Sequence, residues 1–226
     1  HRVFDFSRDG IRRSLDASLA RLGVDSVDIV YLHDPDDHWA QAVDEAWPAL
    51  AELRDDGVIR SIGAGMNQSA MLARFVRETE MDVVLLAGRY TLLDQGALAD
   101  LLPVCVERST SVVIGGVFNS GILVNPNPDS MFDYRPVTSE VLERARRLAQ
   151  VCERHGVPLA AAALQFPLAH PAVATVLVGA RNAKEVEQNA CLLALPIPRA
   201  LWDELRGAGL LPENAPTPPT SMNGMP

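Results

Sequence analysis

Val58-Ile-Arg-Ser-Ile-Gly-Ala-Gly65, VIRSIGAG, is the stretch on which the fold of this 226-residue sequence turns. It is a short apolar run that follows Gly57 and closes on two glycines, so it reads as a strand and not as one turn of a longer helix. Upstream, Val43, Ala46, Trp47, Leu50 and Leu53 recur at helical spacing. Downstream, Met71, Leu72, Phe75 and Val76 do the same. A strand held between two helices is the repeating unit of a parallel α/β protein.

The alternation extends in both directions. Ser7 and Asp9 open a helix carrying Ile11, Leu15, Leu19 and Leu22, and Gly23 stops it. Val27, Ile29 and Tyr31, with Val30 and Leu32 between them, then form a short apolar run, the pattern of a strand buried on both faces. Beyond VIRSIGAG come the strand DVVLLAGRY, a helix capped by Asp94 with Leu98, Leu101, Leu102 and Val106 on one face, and the strand SVVIGGVF. After a longer insertion, residues 139–155 and 158–169 read as helices and VATVLVGA as a fifth strand. Asn182 caps a helix over 182–194, and a last helix near 198–208 starts at Pro198.

Barrel and open sheet are separated by where the glycines fall. An open nucleotide-binding sheet carries a GxGxxG turn between an early strand and its helix, and none stands in that setting. Gly63, Gly65, Gly88, Gly115, Gly116 and Gly179 instead lie at or near strand C-terminal ends, where a (β/α)8 barrel builds its active site. The expected fold is therefore an α/β (β/α)8 TIM barrel, of which five strands are visible.

Composition excludes several function classes. A formal charge of −9 with no Lys/Arg cluster argues against nucleic acid or an anionic membrane as partner. No apolar run reaches the length of a membrane span and no signal-peptide pattern opens the sequence, so a soluble, cytoplasmic protein is expected. Cys105, Cys152 and Cys191 lie far apart without CxxC spacing and read as reduced core thiols. The Pro-rich residues 212–226 read as a flexible tail behind a domain over 1–211.

YLHDPDDH, residues 31–38, gathers two histidines and three aspartates. His33 and His38 are separated by a Pro-containing loop and not placed i, i+4 on a helix, so no metal is expected. Asp36 or Asp37 is expected to cap the following helix and His38 to be solvated. His33 ends a strand, where an imidazole could hydrogen-bond a substrate oxygen or could simply be a satisfied core histidine.

Taken in order, YLHDP, SIGAGMNQ, GRYTLLDQ, GGVFNSGIL and VGARNAKEVEQN resemble the aldo-keto reductase superfamily, and most of all its sugar-oxidising branch. The resemblance runs to about residue 211. It implies a barrel that transfers hydride between a nicotinamide cofactor and a carbonyl or hemiacetal carbon, using Asp, Tyr, Lys and His. His33 matches the histidine. The Asp, Tyr and Lys have no match here, and neither Asp5 nor Tyr31 stands in their setting. The expectation is that strands four to eight are present, as the C-terminal part of a longer enzyme that is inactive alone. Two exposed sheet edges would then be covered by the missing part or by self-association.

The resemblance also assigns the cofactor side. Met66 and Asn67 match residues at the nicotinamide carboxamide, although an Asn before a helix is also an ordinary cap. Tyr90 would line the same pocket or simply pack. Gly115, Gly116, Asn119, Ser120 and Gly121 would receive the pyrophosphate, with Phe118 or Tyr90 stacking on the nicotinamide, since Gly115 stands where the family often has an aromatic. Gly179, Arg181, Glu185, Gln188 and Asn189 would hold the adenosine end. Gly179 and Glu185 stand at two positions where NADP-dependent members commonly carry a cation, and the Glu favours NAD, with NADP as the alternative if Arg181 or Lys184 compensates. The implied substrate is a small aldose such as L-fucose or a D-threo-aldose, or else an aldehyde such as pyridoxal; a non-catalytic dinucleotide-binding subunit is the rival reading.

Overall fold

Strands β1 (Val27–His33), β2 (Ile59–Met66) and β3 (Val83–Ala87) run parallel, with Tyr31 beside Gly63, His33 beside Gly65 and Gly65 beside Leu85. They belong to a computed structural model that describes residues 3–133 and 135–219. Strand neighbours follow chain order, with β4 (Ser111–Gly115) after β3 and β7 (Val173–Leu177) after β4. A hairpin of β5 (Met131–Phe132) and β6 (Arg135–Pro136) stands apart from this sheet. The chain divides into two compact units, His1–Leu86 with Asp100–Val112 and Ala87–Ala99 with Val113–Pro226.

In the first unit, helix α1 (Arg8–Leu22) starts where the Ser7 hydroxyl accepts the Gly10 N–H at 3.1 Å. It stops at Gly23, whose φ of 69° suits glycine. The second helical segment is not uniform: α2 (Trp39–Gln41) passes through a π turn at Ala42–Ala46 into α3 (Trp47–Asp55). Next come α4 (Ser69–Glu78) and α5 (Leu101–Arg108). Leu50, Ile59, Ile62, Leu72, Phe75 and Leu86 form the fully buried core, each stabilising the fold by about 1.5–3 kcal/mol.

Four expectations are corrected at this point. β1 is not buried on both faces: it ends the strand order, and Ile29 is 44% exposed. Neither Asp36 nor Asp37 caps a helix; Asp36 accepts from Gln68 Nε2 at 2.7 Å, and His38 packs against the rings of Phe4 and Phe6. The cap of α5 is Asp100, which accepts from the Leu101 N–H at 2.6 Å and the Ser69 hydroxyl at 2.8 Å. Asp94 instead opens a turn by accepting from the Gly96 N–H.

The second unit holds α6 (Ser139–Arg154), α7 (Leu159–Gln165), α8 (Ala183–Ala194) and α9 (Arg199–Gly207). Every residue of α7 is buried, and Gln165 Nε2 donates to the carbonyls of Leu192 and Leu195, pinning the end of α8. The rings of Tyr90, Phe166 and Trp202 follow one another through the core. Cys105 and Cys152 are buried, and burial pushes both thiols up to about 12. Cys191 is exposed, against expectation, because no residue of α8 is buried.

The expected flexible tail is also corrected as far as residue 219. Arg206 Nη2 donates to the Ala215 carbonyl at 3.0 Å and the Thr217 hydroxyl at 2.9 Å, and Ala215 is buried. Residues 220–226 lie outside the described residues. Among the described residues, no helix is long and apolar enough to cross a membrane.

Candidate functional site

The second unit contains a cleft of about 1290 Å³. Its walls are the loop after β4, the loop between β7 and α8 with one face of α8, and the start of α7 at Pro158–Ala160. Eight expected site residues converge there: Phe118, Ser120, Gly121, Gly179, Arg181, Glu185, Gln188 and Asn189. They come from segments some sixty residues apart, brought together by tertiary packing that sequence spacing does not reveal.

The loop after β4 is wound by left-handed backbone. Gly116, Asn119, Ser120 and Gly121 have φ of 64°, 44°, 60° and 96°. At Gly116 a side chain would also press on Gly88, because a Cβ would lie 3.2 Å from the Gly88 nitrogen. The N–H of Asn119 donates to the Gly116 carbonyl at 2.8 Å and that of Gly121 to the Phe118 carbonyl at 3.0 Å. These donors, expected to receive a pyrophosphate, are therefore engaged in holding the loop, while the Ser120 side of the turn faces the cleft.

Four further expected residues stand behind the wall. Gly115 and Gly116 shape the loop's entry. Asn119 is buried, with its Nδ2 donating to the Gly88 carbonyl at 3.2 Å and its Oδ1 without a hydrogen-bond partner among the described residues. Tyr90 is fully buried, 5.2 Å from the Phe166 ring and 5.7 Å from the His170 ring between centroids. Burial pushes its phenol well above the usual range. Tyr90 packs in the core, so Phe118 is the aromatic of the pair that reaches the cleft.

The opposite wall is the start of α8. Asn182 caps the helix by accepting from the Glu185 N–H at 3.0 Å. One Glu185 oxygen accepts from the Arg181 N–H at 2.8 Å, and the other accepts from Arg181 Nε at 3.0 Å and Nη2 at 2.8 Å. The hydrogen bonds to Arg181 hold the Glu185 carboxyl below the usual carboxylate range, and the same contacts raise Arg181. Lys184, Glu187 and Asp129 also line the cleft.

Sequence reasoning missed the floor from Val124 to Met131. Its sole sequence signal was the long insertion with its turn-forming Asn and Asp residues: Asn127 Oδ1 accepts from the Asp129 N–H at 2.9 Å. Cys191 and Leu192, on the next turn of α8, also line the cleft.

The first unit carries the remaining expected residues. His33 ends β1 with its side chain 63% exposed and its Nε2 3.5 Å from an Asp34 oxygen. The Asp34 N–H donates to the Gly65 carbonyl at 2.9 Å, and the Gln68–Asp36 bond ties the loops after β1 and β2 together. Met66 closes β2, 2% exposed, and Asn67 follows it; Gln68, not Asn67, holds the N-cap position of α4. Among the described residues, no group of three or more His, Cys, Asp or Glu is placed to hold a metal ion.

Parallel strands alternating with helices, with loops at strand C-terminal ends forming a polar cleft, define an α/β protein of the TIM-barrel type. The chain belongs to the aldo/keto reductase family, whose model matches residues 1–209. It is 44% identical over 214 residues to a D-threo-aldose 1-dehydrogenase from Pseudomonas sp, covering 93% of this chain and 65% of that protein. It is 41% identical over 220 residues to a pyridoxal 4-dehydrogenase from Microbacterium luteolum, covering 92% of this chain and 64% of that one. The holo form of an aldo-keto reductase from Bacillus halodurans superimposes with a TM-score of 0.73 at 26% identity, over 90% of this chain and 68% of its own. The chain thus spans about two thirds of the length of the curated relatives it matches.

Proposed function

We propose that this chain is the cofactor-holding part of a nicotinamide-dependent oxidoreductase that oxidises a small aldose at C1, with NAD as the cofactor. The observation that carries this reading is the cleft, because it gathers Phe118, Ser120, Arg181, Gln188 and Asn189 in a space large enough for a dinucleotide. Its residues fit such a ligand: an aromatic face for a ring, a hydroxyl and amides for ribose and phosphate oxygens, and a basic residue at a helix start.

The nicotinamide, when bound, supplies the hydride acceptor. Oxidation of a cyclic aldose to its lactone would give up the C1 hydrogen as hydride and would need a base for the C1 hydroxyl proton. His33, at the end of β1 and exposed, is assigned to orient that hydroxyl oxygen. The tyrosine that would take the proton, with its Asp and Lys, is known only through the family resemblance and has no matching position in this chain. The proposed turnover therefore belongs to a polypeptide that also carries those groups.

A second reading is favoured by that same mismatch and by the fate of Tyr31, which lies against Gly63 inside the sheet. A molecule made of these 226 residues alone would bind a dinucleotide without turning it over. Pyridoxal or another small aldehyde is the alternative substrate, through the likeness to the Microbacterium luteolum enzyme.

Calorimetric titration with NAD and NADP, on protein whose intact mass has been measured, tests the reading. Saturable NAD binding is expected, and hydride transfer from aldose to NAD in protein heavier than 24.5 kDa. A protein that binds neither dinucleotide would overturn the proposal.

A further inference from the structure

Helix α8 forms one wall of the cleft, yet no residue of α8 is buried, so little apolar packing fixes where the helix lies. Hydrogen bonds at its ends then matter more. At the start, Asn182 accepts from the Glu185 N–H, a bond within the helix's own first turn that ties α8 only to itself. At the far end, Gln165 of α7 reaches across: its Nε2 donates to the Leu192 carbonyl at 2.9 Å and to the Leu195 carbonyl at 2.8 Å.

The sequence explains why that end needs a donor from another helix. A helical carbonyl at Leu192 would take its hydrogen bond from the N–H of residue 196, but Pro196 has none. The Leu195 N–H reaches the Leu192 carbonyl only at 3.4 Å. Gln165 is 1% exposed and spends both amide hydrogens on the two carbonyls. Leu192 lines the cleft, and so does the Pro158–Ala160 start of α7. Helix α7 therefore forms one wall at its start and holds another at its end.

We propose that Gln165 is a positioning residue for the cleft: it stands behind the wall and, through the last turns of α8, holds Gln188, Asn189 and Leu192 where a bound dinucleotide would meet them. The proposal rests on the reading of the cleft as a dinucleotide site. Without the two donors the end of α8 would exchange between positions, and the apparent affinity would fall with the fraction of molecules whose wall is in place. Gln165→Met keeps an unbranched side chain of similar length and removes both donors. Ala163→Gly, at a fully buried position of the same helix, lowers helix stability without touching the Gln165 bonds and is the control.

The test joins amide hydrogen exchange at residues 190–195 with calorimetric titration of NAD, on the full chain and on each variant. In Gln165→Met, exchange at those amides should quicken and NAD affinity should fall by about tenfold, the scale of one or two hydrogen bonds. Saturating NAD should slow the exchange again. Ala163→Gly should lose stability to urea yet keep its NAD affinity within about twofold of the parent, since a merely structural loss leaves the wall in place. Gln165→Asn, which draws the amide back by one methylene, gives the same comparison if the methionine variant does not fold. Unchanged exchange at residues 190–195 would show that Gln165 does not hold α8. Faster exchange with NAD affinity within about twofold of the parent, or equal weakening in Ala163→Gly, would refute its bearing on the cleft. Each of these leaves the dinucleotide reading standing, whereas a parent chain that binds no NAD would overturn both.

Discussion

At Gly63 the sheet leaves no room for a methyl group. A Cβ there would lie 2.8 Å from Tyr31 Cδ1 and closer still to the Val83 carbonyl oxygen, and a strand backbone bonded on both sides cannot move away. Gly63→Ala should therefore lower stability by about 1–3 kcal/mol, read as a shift in the urea midpoint at unchanged slope. Gly179 makes the opposite comparison: nothing lies within 4 Å of a Cβ built there, yet the residue lines the cleft. Gly179→Ala should leave the midpoint within about 0.5 kcal/mol of the parent while weakening dinucleotide binding. If Gly63→Ala melted like the parent, the packing of Tyr31 on Gly63 would not be what fixes glycine there. The two glycines look alike in sequence, each near the end of an apolar run, and it is the three-dimensional neighbour that divides a packing glycine from a cleft glycine.

Among the elements, those specified by nearby residues were legible, and those specified across the chain were not. Ser7 with Gly23 brackets α1 and Asn182 starts α8 as their spacing demands, since a cap acts on an N–H three residues away. Asp94 and Asp100 satisfy that local rule equally; Ser69, which donates its hydroxyl to Asp100, stands thirty-one residues from it. The C-terminal segment follows the same logic. Its proline-rich composition reads as a tail, but Arg144 and Arg147 of α6 donate to the carbonyls of Leu210 and Ala208, and Arg206 of α9 holds Ala215 and Thr217. Arg206→Ala removes the last of these fasteners, so residues 212–219 should become the earliest site of cleavage under limited proteolysis, with the rest of the digestion pattern unchanged. Equal cleavage rates in the variant and the parent would mean that burial of Ala215 alone secures the segment.

For the whole molecule, the α/β class was legible because strand and helix periods alternate from α1 to the fourth strand and resume after the insertion, while the cleft was legible only on its two loops that carry familiar residues. Its floor over 124–131 has no periodicity, and Tyr90 stays open in the sequence between pocket and packing because the end of a strand does not reveal which way an aromatic ring turns. That ring leads inward to His170, which is 9% exposed, accepts the Ala172 N–H on Nδ1 at 3.2 Å, and has its imidazolium disfavoured by burial. A histidine whose folded pKa lies below its unfolded value of about 6.5 binds its proton more readily when unfolded. Stability contributed by the neutral ring is thus fully present above that pH and is lost as the pH falls toward the lowered folded value. The surface carboxylates Glu52 and Glu204, held down by hydrogen bonds from Arg8 and Arg12 and from Arg154 and His155, act in the same direction but only at more acidic pH. Urea midpoints measured between pH 7.5 and 5 should therefore fall before the carboxylates titrate, with a slope of at most about 1.4 kcal/mol per pH unit for one proton. His170→Gln, whatever it costs in packing, should flatten that slope between pH 6.5 and 5 and leave the steeper loss at lower pH intact; a variant with the parental slope would show that His170 is not the group that titrates.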